Sequence, residues 1–166
     1  MAGNVCQRHS MYSFDVQIQG TQLLFQKVSK IAFGIEVEEI REGGNLLPDK
    51  TPGFGTVENV TFEKGVTDDE YEIQWFKIMA NGAAGVGVPG QACDAYKRPI
   101  LLRQLARDKK PVREYNMVGA FPVKLEIGDW DSESNEKVVL SMECAYDYPI
   151  ITTIGAPGGA IGNVFA

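Results

Sequence analysis

His9 is the only histidine in the chain, so a histidine base would have to be built around it, while the plentiful carboxylates fall on alternating polar strand faces, as solubility alone requires. His9 stands in a polar, unpatterned stretch from Met1 to Met11, where no periodicity brings a nucleophile or a carboxylate into register with it. No serine lies in a G-x-S-x-G elbow. Cys6, Cys93 and Cys144 are odd in number and scattered, without a C-x-x-C pair, which argues against a disulfide framework and a zinc knuckle. Asp129, Asp131 and Glu133 fall at every second position, yet the glycine and the terminal bidentate glutamate of a calcium loop are missing, so the segment reads as a solvated acidic turn. Gly85-Val86-Gly87-Val88-Pro89-Gly90 matches the dinucleotide fingerprint letter for letter. That fingerprint needs a strand before it and a helix opening on it. Here a helix precedes it, Pro89 interrupts it and no acidic residue ends a partner strand, so the stretch is read as a connector. The residues offer no catalytic, metal-binding or cofactor-binding constellation. The chain reads as one built to assemble.

Charge and composition narrow the partners. The net charge is −6, and the longest basic run, Arg107 to Lys110, is interrupted by Asp108. A nucleic-acid binder shows an unbroken basic stripe, so specific nucleic-acid binding is not expected. With 44% hydrophobic and 23% charged residues, the 166-residue chain has the apolar material for the core of one domain. No stretch approaches the ~18 apolar residues of a membrane span. The first residues carry Arg8, His9 and Asp15 rather than an apolar signal, which leads to an expectation of synthesis in the cytoplasm.

The elements that must position everything else centre on residues 35–65. Ile31, Phe33, Ile35 and Val37 alternate with Ala32, Gly34, Glu36 and Glu38, which is strand periodicity. Val60 and Phe62 alternate with Asn59, Thr61 and Glu63 in a second strand. Between them, residues 41–55 fit neither period. Gly43, Gly44, Pro48, Pro52, Gly53 and Gly55 break helix and strand alike, while Leu46, Leu47 and Phe54 are apolar. A loop of that length is uncommon unless functional, and the apolar groups mark a projecting arm that awaits a partner.

Around it, Ser13 to Gln19 alternates cleanly and returns, through a turn at Gly20-Thr21, as a strand from Leu23 to Val28. Thr67-Asp68-Asp69-Glu70 has the form of a capping box and opens a helix over 67–80 with Tyr71, Trp75, Ile78 and Met79 on one face; Asn81-Gly82 stops it. A Gly-rich connector occupies 82–97. Pro99 to Ala106 and Val112 to Val118 form a hairpin, a further strand starts at Ala120-Phe121-Pro122, and the last runs from Lys137 to Tyr146. Residues 150–166 are a Gly-rich tail or arm. The expected fold is all-β with one helix: two packed antiparallel sheets of about seven or eight strands in a small barrel.

The runs EVEEIREGGN and PDKTPGFG, then Glu63-Lys64-Gly65, the helix with Trp75, and RPILLRQLARDKKPVREYNMVGAFPVKLEIGDWDSESNE resemble the tail tube proteins of contractile phages. The same family supplies the inner tube of tailocins and of extracellular contractile injection systems. The likeness covers roughly Tyr12 to Asp147 and departs at Gly82 to Gly90 and from Ile150 onward. It implies an Hcp/tail-tube-like protomer in a hexameric ring, without enzymatic activity. Rings would stack into a conduit driven through an envelope when a sheath contracts, delivering DNA or protein cargo. The stacking arm would be Glu42, Gly43, Gly44, Asn45, Leu46, Leu47, Pro48, Lys50, Pro52, Gly53 and Phe54. Glu36, Glu38, Glu63 and Glu126 are candidates for the lumen wall. Implied partners are further copies of the chain, the sheath protein, baseplate hub, spike and tube-initiator proteins, a tail terminator or cap, and a tape-measure protein or cargo. The particle would assemble in the cytoplasm and end as a virion tail or a released injection particle. A baseplate-proximal tube initiator and, in another class, a monomeric ligand-binding β-barrel are the alternative readings.

Overall fold

A computed structural model describes residues 13–83 and 96–154. The expected flexible start at 1–11, with His9 and Cys6, the connector with Cys93 beyond its first residues, and residues 155–166 of the tail lie outside the described residues. The elements in chain order are β1 (Phe14–Ile18), β2 (Thr21–Leu23), β3 (Lys27–Val28), β4 (Phe33–Ile40), β5 (Asp49–Val57), β6 (Val60–Gly65), α1 (Tyr71–Ala83), β7 (Arg98–Leu105), β8 (Pro111–Gly128), β9 (Val139–Ala145) and β10 (Tyr148–Thr153).

Eight strands form one antiparallel sheet in the order β2-β1-β7-β8-β9-β6-β3, with β10 also paired to β8; β4 and β5 form a separate ribbon. The barrel is not closed by hydrogen bonds, because β2 and β3 end the path without pairing. The two layers expected from the sequence are halves of one bent sheet. β8 belongs to both: residues 113–118 pair with β10 and residues 121–128 with β9. One 18-residue strand therefore replaces the two read from the sequence, and Pro122 sits within it beside a bulge rather than at a strand start.

The bend is set at Gly119, whose φ of +67° lies in the left-handed region that favours glycine. A Cβ there would come within 2.2 Å of Asp147 Oδ2. Asp147 occupies the matching corner between β9 and β10, where its backbone N–H donates to Val118 O and its carboxylate pairs with Lys97 at 3.2 Å. Gly119→Val is expected to destabilise the protein by about 2–4 kcal/mol, from a strained backbone and a displaced carboxylate. Urea unfolding checks this; a loss below about 0.5 kcal/mol, the scatter of an ordinary surface change, would show that the corner relaxes freely.

Other boundaries differ for similar reasons of pairing. The first hairpin turns on Gln19-Gly20, both at positive φ as in a type I′ turn, not on Gly20-Thr21. The expected return strand from Leu23 to Val28 is split, because β2 pairs with β1 while β3 pairs with β6. The helix opens at Tyr71 rather than Thr67: Asp69 Oδ1 accepts from the Tyr71 N–H, and Glu70 O accepts the first helical bond from Gln74. It runs on through Ala83, taking the first residues assigned to the connector. Ile150 to Thr153 belongs to β10 and not to a tail, because β8 offers it a partner edge.

The core is the inward row of each strand: Val16 and Ile18, Val60 and Phe62, Ile100, Met117, and Leu140, Met142 and Cys144, capped by Trp75 of α1. Trp75 is fully buried, and its indole N–H donates to Tyr96 O at 2.7 Å. Burial pushes the Cys144 thiol far up, aided by the charge of Glu143, so this sulfur acts as a small apolar group.

Candidate functional site: the projecting ribbon and the outer sheet face

The arm is a β-hairpin and not the irregular loop read from the sequence. Its second half, Asp49–Val57, is a strand that pairs with Phe33–Ile40, leaving only 41–48 as the tip. Glycine and proline break a central strand, but a two-stranded ribbon leaves an edge of each strand unpaired, where proline is tolerated. Pro52 lies opposite Val37, and a bulge between Ile35 and Val37 absorbs the extra residue of β5. A Cβ at Gly53 would meet Glu38 Cγ at 3.2 Å and Glu36 O at 3.3 Å, so the close approach that needs glycine is here. Gly44 needs glycine for its φ of +107°, whereas among the described residues nothing lies within 4 Å of a Cβ at either Gly43 or Gly44.

The ribbon is two-faced. Phe33, Ile35 and Val37 share one side, opposite Val57, Gly55 and Pro52 of β5. Gly34, Glu36 and Glu38 share the other. At its root Ile31 and Val57 pack on the core. Beyond that the apolar side is open, with Ile35 and Val37 more than half exposed. The tip goes further, with Leu46 and Leu47 102% and 81% exposed, and Phe54 of β5 is 79% exposed. Such a surface on a monomer marks an interaction site. Across the ribbon Lys50 pairs with Glu39 at 3.5 Å, while Glu36 and Glu38 make no ion pair among the described residues.

The four candidate lumen carboxylates are not brought together. Glu36 and Glu38 lie on the ribbon, whereas Glu63 and Glu126 lie on the outer face of the main sheet, in register with Ser141 of β9 from either side. That outer face carries bases as well as acids. Lys27 pairs with Glu63 at 3.2 Å, and Lys124 pairs with Glu126 and is held more firmly protonated by it. The outer sheet face is a mixed-charge surface, and the ribbon carries the unneutralised acids.

Two features were missed from sequence. Lys64 continues the inward phase of Val60 and Phe62 and is buried against Glu72 of α1, with Nζ 2.5 Å from Oε1. Both side chains are nearly or wholly inaccessible, and Glu72 Oε2 has no hydrogen-bond donor among the described residues. The alternation itself carried the signal for Lys64. Trp130, in the acidic turn after β8, is 77% exposed; nothing in its local pattern distinguishes it from a core aromatic. Among the described residues, no group of three or more His, Cys, Asp or Glu is placed to hold a metal ion.

The sequence model of the family described as T4-like virus tail tube protein gp19 matches residues 10–149. Comparison with curated proteins gave no match. Among solved structures, the fold is similar to a chain of the sheath-tube complex of the extracellular contractile injection system PVC in its extended state, with a TM-score of 0.74 and 21% identity over 90% of this chain and 95% of that one. It is similar to a chain of the anti-feeding prophage cap, with a TM-score of 0.76 and 22% identity over 92% and 99%. A crystal structure of an Hcp protein matches with a TM-score of 0.56 and 10% identity over 90% and 98%.

Proposed function

The chain belongs to the T4-like virus tail tube protein gp19 family, and from that premise we propose that it is the main inner-tube subunit of a contractile tail or injection system. Copies form hexameric rings, rings stack into a rigid conduit, and sheath contraction drives that conduit through an envelope with DNA or protein cargo inside. The observation that carries this reading is the β4–β5 ribbon: a hairpin rooted in the core, whose apolar side and tip have no cover among the described residues. A heterologous contact of such an arm with the next ring propagates without closing, which is how a tube grows. Sheath, baseplate and terminator proteins are the partners this role requires.

In the tube the apolar side of the ribbon is covered by neighbouring copies, so the side bearing Glu36 and Glu38 is the one that faces the bore. Glu63 and Glu126, neutralised by Lys27 and Lys124, contribute little to the potential there. A wall of net negative charge repels phosphates and lets a polyanion slide, whereas a basic wall would hold it through counterion release. Assembled tubes are expected to retain no DNA at low salt. Tubes of the double variant Glu36→Lys, Glu38→Lys are expected to hold it in a salt-sensitive way. Micromolar or tighter DNA binding by wild-type tubes would contradict the acidic bore, and failure to obtain tubes from wild-type protein would contradict the tube itself.

A further inference from the structure

The two ends of β8 carry opposite charge. Before Pro111 comes the β7–β8 turn with Arg107, Lys109 and Lys110; after Gly128 comes the loop with Asp129, Asp131, Glu133 and Glu136. Eighteen residues at ~3.3 Å each separate them by roughly 60 Å of strand, bent once at Gly119. At the basic end, Arg103 is engaged with Glu114 at 3.0 Å and Lys110 with Asp108 at 3.5 Å, while Arg107 and Lys109 make no ion pair among the described residues. At the acidic end, none of the four carboxylates makes an ion pair among the described residues; Asp131 and the Ser134 hydroxyl only accept from backbone N–H groups within the loop. Among the described residues, no ion pair joins one set of charges to the other.

Shape follows the same polarity. The basic end holds a groove of about 870 Å³, with Phe14, Leu24 and Leu105 in its lining and Arg107 and Lys109 among its walls. Leu24 is 82% exposed there. The acidic end presents Trp130, 77% exposed. A groove of this size is within the range that accepts an aromatic side chain and the loop that bears it, and buried tryptophans ringed by complementary charge are the usual anchors of protein interfaces.

We propose that the acidic loop after β8 docks into the basic groove of a second copy of this chain, with Trp130 seated against Leu24, Phe14 and Leu105, and Asp129 and Asp131 facing Arg107 and Lys109. This rests on the tube reading and adds to it a second contact between copies, independent of the ribbon. The two surfaces are different patches of one chain, so the contact is head-to-tail and repeats from copy to copy.

Disulfide trapping in a background of Cys6→Ser and Cys93→Ser tests it, because Cys144 is buried. Gln22→Cys in the groove lining and Ser132→Cys in the loop leave Leu24 and Trp130 in place; each protein alone is expected to stay unlinked, and their mixture to form a cross-linked dimer on mild oxidation. Links within each variant alone would indicate a symmetric contact, and a link inside a chain that carries both cysteines would place the loop on its own groove; either overturns the proposal. No link in the mixture does so too, as it must if the first residues of the chain or another protein fill the groove. In parallel, Trp130→Ala is expected to raise the critical concentration for assembly roughly tenfold or more. Arg107→Glu with Lys109→Glu should block assembly, and adding Asp129→Lys with Asp131→Lys to the same chain should restore it. Normal assembly of the Trp130 and charge variants would remove this contact while leaving the tube reading intact; absence of any assembly by wild-type protein, with no cross-link, would remove both.

Discussion

Replacing Leu46 and Leu47 with aspartate is expected to leave a folded, soluble protein that no longer forms tubes. Both side chains are more than four-fifths exposed, and the tip from residue 41 to 48 makes no strand pairing, so the protomer loses nothing when they change. In an assembled interface each buried leucine contributes about 1.5–3 kcal/mol. A carboxylate in the same place must be desolvated without a partner, which adds several kcal/mol of cost. The contact recurs at every copy, and ~1.4 kcal/mol is already tenfold in affinity, so growth should stop rather than slow. Circular dichroism is expected to match wild type while sedimentation finds no large particles. Tubes of normal length from this variant would take the tip out of the stacking interface.

The second large effect lies in the core. Lys64→Met is expected to cost about 3–5 kcal/mol, because it leaves Glu72 as an uncompensated charge in a site that water does not reach. Lys64→Met combined with Glu72→Leu should recover most of that loss, since the pair's attraction largely offsets its own desolvation and apolar groups of similar volume pack as well. The pair joins β6 to the first turn of α1, the helix that also places Trp75 over the core. Urea unfolding of the two variants separates the outcomes. A single variant within about 1 kcal/mol of wild type, a shift no larger than that of a typical point change, would mean that solvent reaches Glu72 after all.

What was legible in the chain was local. The alternation of Phe14 to Ile18 and of Val60 to Lys64 gives β1 and β6 their inward rows, and the apolar positions around Trp75 give the helix. What was not legible depended on partners distant in sequence. Residues 49–57 look like broken strand because Pro52, Gly53 and Gly55 weaken it, and only pairing with β4 makes it one. Gly119 to Pro122 looks like the gap between two strands, yet β10 pairs with residues 113–118, β9 with residues 121–128, and β7 as far as Ala120, so one strand continues through the bend. Distance also hid the pairing of Lys27 with Glu63, which needs β3 beside β6, whereas Lys124 and Glu126, two residues apart on one strand face, were within reach of the alternation alone. The arm's apolar tip, by contrast, was visible at once, because Leu46 and Leu47 stand among glycines and prolines in a stretch without strand or helix period.

Negative-stain electron microscopy of the purified 18.2 kDa chain, concentrated under native conditions, tests most directly whether it is a tube subunit. The expected images are hollow, straight-walled tubes of uniform diameter with a regular axial repeat, and six-fold rings where assembly is incomplete. A uniformly monomeric protein at high concentration, with no rings or tubes, would contradict a tube-forming role for this chain.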